Sequence, residues 1–130
     1  MAEGVQSGMP MVTLVVAAGP GFPQGSPNHR YEITVQLTPG GHLDAEAWAA
    51  RSAPWPARRI WPGGPARDGD MLFDADTESW SIRLFPAPGE AADAPLHAAI
   101  RNAGQLRPGE YVTIREPDGT EFSYRVVSVA

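Results

Sequence analysis

The sequence predicts an α+β domain. Six to seven short, mainly antiparallel strands form a strongly bent sheet or partly open small β-barrel, with two short helices over one face or an end. Three observations carry this. The β-branched and aromatic runs Glu110–Arg115 and Glu121–Val129 flank Glu116-Pro117-Asp118-Gly119-Thr120. Pro presets φ for the first central turn position, and Asp-Gly can complete a type I turn with a left-handed residue, so a hairpin is expected. Arg30–Thr38 alternates strictly, with Tyr31, Ile33, Val35 and Leu37 on one face and Glu32, Thr34, Gln36 and Thr38 on the other. One face is then core and one is wet, as in an antiparallel sheet. Two alanine-rich runs with helical spacing complete the class.

Composition bounds the rest. With 130 residues the chain suits one domain over residues 11–130, preceded by a flexible N-terminal tail over residues 1–10. Gly and Pro number 14 each, about twice ordinary usage, so elements are expected to be short and loops many. All ten basic residues are Arg, which a GC-rich, bacterial coding bias explains. Residues 1–65 hold four acids and four Arg; residues 66–130 hold eleven acids and six Arg, which is the whole net charge of −5. That imbalance argues against general nucleic-acid binding, which needs a basic footprint. The apolar run from Met11 to Ala18 is too short for a bilayer span, and no basic residue precedes it, so a cytoplasmic, membrane-free protein is expected.

Taken in order, Met11–Ala18 reads as a buried strand pairing with 30–38 across the long Gly/Pro loop 19–28. A strand followed by Gly19-Pro20-Gly21 invites a phosphate-loop reading. Pro23 and Pro27 block the helix that such a loop needs, and the glycine spacing is wrong. Leu43–Arg51 reads as a helix with Asp44 as N-cap and Leu43 and Trp48 placed for a hydrophobic staple. Residues 70–85 form a second hairpin around an acidic turn, 74–79, that lacks the full calcium-loop pattern of alternating acids, a mid-loop Gly and a distal bidentate Glu. Residues 93–104 read as a second helix. Asp93 or Ala94 caps it, and Leu96, Ala99, Ile100 and Ala103 lie on one face.

The segment Ala53–Pro65 is the most unusual, with Trp55 and Trp61 flanking Arg58 and Arg59. These four residues are the candidate ligand- or partner-binding site, an aromatic and guanidinium surface for an acidic small molecule or a protein. Alternatively, both Trp cover an open end of the core, or Arg58–Trp61 forms a short edge strand.

Catalytic chemistry has little support. There is no Cys, and the three His, at 29, 42 and 97, are far apart with no ligand spacing, so no catalytic residue, metal or cofactor is assigned. The expected function is a non-enzymatic binding or protein-interaction module. Two alternatives stand beside it: a small enzyme drawing acid/base groups from loops 19–29 and 66–79, and a homo-oligomeric structural protein, a homodimer for example. The Leu106–Val129 hairpin resembles the barrel-closing hairpin of sortases, and equally turns in other small β-barrels. Sortase chemistry requires a Cys, so the resemblance implies no activity here.

Overall fold

A computed structural model describes residues 9–19, 21–86, 89, 96–101 and 103–130. Strand accounts for 51% of the described residues and helix for 4%. The strands are β1 (Met11–Val16), β2 (Ser26–Thr34), β3 (Pro56–Ile60), β4 (Arg67–Asp74), β5 (Ser79–Leu84), β6 (Leu96–Ile100), β7 (Tyr111–Arg115) and β8 (Glu121–Val129). Each pairs antiparallel with the next, and β1 also pairs antiparallel with β8, so the sheet is a closed eight-stranded barrel. The α+β expectation with two helices is thereby corrected. Among the described residues the single helix is α1 (Ala45–Ala49), whose N-cap Asp44 accepts a hydrogen bond from the Ala47 N–H at 3.0 Å.

The second expected helix is β6. Its register with β5 sets Ile82 opposite Ala98 and Trp80 opposite Ile100. The spacing Leu96, Ala99, Ile100 fits a helix, yet in a strand Ala98 and Ile100 share one face, and both are buried. The helix preference of alanine is worth a few tenths of a kcal/mol per residue. Without β6 the backbone N–H and C=O groups along β5 and β7 would lose their partners, which costs more. The expected caps at 93–95 lie outside the described residues, as do residues 1–8 of the expected tail and Pro20 in the long loop.

The hairpins at 110–129 and 70–85 are present, and the first strand does pair with the second, but the second strand runs over Ser26–Thr34 rather than 30–38, so it takes in the end of the expected loop 19–28. The β1–β2 pairing carries one irregularity. Val15 faces Arg30 but Val16 faces Ser26, so Pro27, Asn28 and His29 bulge out of the register. At the β4–β5 crossing, a Cβ on Gly69 would meet the Arg83 carbonyl oxygen at 1.9 Å, so only glycine fits.

Alternation fills the interior. Val12, Leu14, Tyr31, Ile33, Met71, Ile82, Leu84, Val112, Ile114, Tyr124 and Val126 are fully buried, as expected for a small barrel packed with side chains. Outside, cross-strand partners carry opposite charges. Arg58 Nε is 2.9 Å from Asp68 Oδ1, Arg83 grips Asp70 with two hydrogen bonds at 2.9 and 2.7 Å, and Arg115 pairs with Glu121 at 3.1 Å.

The barrel has two differently dressed ends. The 35–55 connection with α1, the 75–78 turn and the 101–110 connection close one; the β1–β2 and β3–β4 loops and the β7–β8 turn close the other.

Candidate functional site

The four residues singled out in the sequence do not form one surface. Strand β3 carries them across the barrel, and Trp55 and Trp61 sit about 20 Å apart at opposite ends, at roughly 3.3 Å per residue. Trp55 is 3% exposed and stacks on Trp80 with ring centroids 5.9 Å apart and planes 10° apart. It packs the α1 end together with Trp48, whose indole N–H donates to the Met71 carbonyl at 3.0 Å. Arg58 points outward to Asp68, and that hydrogen bond raises its pKa. Arg59 and Trp61 do come together, with the guanidinium carbon 3.8 Å from the Trp61 ring centroid.

Arg59 alternates with Arg58 on β3 and therefore points inward, where it meets three residues from distant parts of the chain. Glu116 opens the β7–β8 turn and is 3% exposed. Its Oε1 accepts from Arg59 Nε at 3.1 Å and from the Tyr31 hydroxyl at 2.9 Å, and its Oε2 accepts from the Tyr124 hydroxyl at 2.7 Å. Arg59 Nη2 also lies 3.1 Å from Oε1. A buried carboxylate is tolerable only when it is paired and hydrogen-bonded, and both oxygens of this one accept hydrogen bonds. Burial, then the Glu116 charge, pushes both tyrosine hydroxyls well above their ordinary ionisation range.

An aromatic circuit lies over this network. Ring centroids are separated by 4.7 Å for Phe22 and His29, 4.6 Å for His29 and Trp61, 5.8 Å for Trp61 and Phe122, and 5.5 Å for Phe122 and Phe22. The β2 bulge is what places His29 here. Its Nδ1 lies 2.6 Å from Ser26 Oγ. Burial, and then the nearby Arg59 charge, lower the His29 pKa below its usual value, partly offset by Glu116. The Trp61 indole N–H is buried, and no described residue accepts a hydrogen bond from it.

Beside this circuit a cleft of about 300 Å³ is lined by Arg59, Trp61, Gly63, Gly64, Pro65 and Arg67, among others. Two guanidinium groups and an indole against a glycine-rich loop make a wall suited to hydrogen-bond acceptors and negative charge. Among the described residues, no group of three or more His, Cys, Asp or Glu is placed to hold a metal ion.

Sequence reasoning singled out Arg59 and Trp61 but did not bring Glu116, Tyr31, Tyr124, His29 and Phe22 to them as neighbours. Tyr31 and Tyr124 read as core, and Glu116 reads as a turn residue. The Tyr31–Glu116 bond spans 85 positions and the Arg59–Glu116 bond 57. The only local signal is an acid directly before a Pro-Asp-Gly turn.

No protein-family model matches this chain, and neither a curated protein nor a solved structure matches it.

Proposed function

We propose that this barrel is a non-enzymatic binding module whose recognition site is the Arg59–Trp61 mouth, taking a small anionic ligand. The observation that carries the reading is the Trp61 indole N–H, a buried donor to which no described residue offers an acceptor, in a ring that lines the cleft beside the Arg59 guanidinium. A buried unsatisfied donor costs roughly 1–3 kcal/mol, and a ligand that brings an acceptor oxygen removes that cost. A cleft of about 300 Å³ suits a small molecule rather than a folded partner. The charged outer face, with Arg58, Asp68, Arg83 and Glu121 on neighbouring strands, supports an aqueous setting, because a lipid-facing band would be apolar.

The test is NMR shift mapping of the full chain against small dicarboxylates and sulfate. The reading expects the Trp61 indole and Arg59 Nε signals to move first, and Trp61→Phe, which keeps a ring but loses the N–H, to weaken binding. Shifts that leave residues 59–67 untouched for every anion would refute it.

A second reading, a small enzyme, rests on Ser26 Oγ lying 2.6 Å from His29 Nδ1, a hydroxyl on a base. Labelling of Ser26 by a fluorophosphonate, lost in His29→Gln, would favour it over simple binding.

A further inference from the structure

We propose that His29 makes anion capture at this mouth acid-dependent: protonation of its imidazole adds a positive charge to those of Arg59 and Arg67, so an anion binds more tightly as the pH falls. This rests on the anion-binding reading above and extends it to the regulation of the same site.

Three observations carry it. His29 is held in place by the bulge and by edge contacts with Trp61 and Phe22, so it cannot swing into bulk water without breaking the aromatic circuit. Its Nδ1 partner is a hydroxyl. A hydroxyl can donate to a bare Nδ1 or accept from Nδ1–H, so the Ser26 bond is compatible with either charge state of the ring. A carbonyl or guanidinium partner would favour one state only. Lastly, the charged groups that act on His29 among the described residues are Arg59 from β3, which opposes its protonation, and Glu116 from the β7–β8 turn, which favours it. Glu116 is shared among Arg59 and two tyrosines. A bound anion adds a further counter-charge for the imidazolium. Binding and protonation at neighbouring sites are reciprocal, so an anion that binds better to the protonated protein must also raise the His29 pKa.

Sulfate is the probe, because its charge does not change between pH 5 and 8. The full chain is titrated over that range by NMR, with and without sodium sulfate at ionic strength matched by sodium chloride. The imidazole signals of His29 are followed, with exposed His42 and His97 as internal controls. The expected result is a rise in the His29 midpoint with sulfate, no change at His42 and His97, and sulfate affinity at Arg59 and Trp61 about fivefold higher at pH 5 than at pH 8, at the low end of ordinary site coupling. His29→Gln should abolish the pH dependence, so that sulfate affinity becomes equal at pH 5 and pH 8. If sulfate moves Arg59 and Trp61 with equal affinity at both ends of the range, or leaves the His29 midpoint fixed, this inference fails and the anion site survives. If sulfate moves neither residue at any pH, the anion site fails and takes this inference with it. Should His29→Gln not fold, the wild-type midpoint decides alone.

Discussion

Arg59 donates to Glu116 inside the barrel, Nε to Oε1 at 3.1 Å, and the same oxygen receives the Tyr31 hydroxyl at 2.9 Å. This pair ties β3 to the β7–β8 turn and makes the interior polar at one end only.

Glu116→Ala should destabilise the fold by about 3 kcal/mol, since it leaves a largely buried guanidinium and two buried hydroxyls without their acceptor. Glu116→Gln keeps one acceptor oxygen and should cost less than half of that. Urea denaturation followed by tryptophan fluorescence compares them; equal losses would mean that the charge, not the hydrogen-bond count, governs this cluster.

The tyrosine shifts predict alkaline unfolding. The pKa values of Tyr31 and Tyr124 are raised in the folded state from an ordinary 10.0, so above pH 10 the unfolded chain releases protons that the native state retains. Stability is thus full below pH 10 and falls as pH rises beyond it. His29 acts at the other side. Its pKa is lowered from 6.5, so its contribution is present above pH 6.5 and is lost on acidification. Melting temperature against pH should show a plateau between these limits; Tyr31→Phe should flatten the alkaline fall.

Gly69→Ala should be severely destabilising, by about 3 kcal/mol, because the new methyl group meets backbone rather than a movable side chain. At Gly64 an added methyl group would meet nothing within 4 Å, so the same change there should bring no measurable loss. Thermal melts of the two variants make the comparison.

Trp55 and Trp61 should separate stability from binding. Trp55→Ala empties a stacked position in the core and should cost about 3–4 kcal/mol. Trp61→Phe should stay within about 1 kcal/mol of wild type by the same measure, while losing affinity for sulfate. Arg58→Ala removes a solvent-exposed pair, so neither melting nor titration should register it.

Much of the sheet is legible in the chain because its signals are local. The Pro-Asp-Gly turn marks one hairpin, and the alternation from Tyr31 to Val35 shows which face is buried. The segment 96–100 reads as a helix because Leu96, Ala99 and Ile100 fit the helical period while Ala98 and Ile100 fit the strand period, and only neighbours on β5 and β7 decide between them. Barrel closure leaves no local trace, since β1 and β8 lie at opposite ends of the chain. At the candidate site, Arg59 and Trp61 stand close together in the sequence and His29 joins them through the β2–β3 pairing, whereas Glu116 and Tyr124 arrive only when the barrel closes.

That seam between β1 and β8 has a consequence during synthesis. On the ribosome, seven strands emerge before the one that completes the ring, and until residues 121–129 are free, β1 and β7 each present a bare flank of amides and carbonyls. Such nascent sheets fold slowly and adhere to one another. The outward Arg and Glu side chains already in place on β2, β3 and β7 serve, in that interval, as spacers between neighbouring nascent chains.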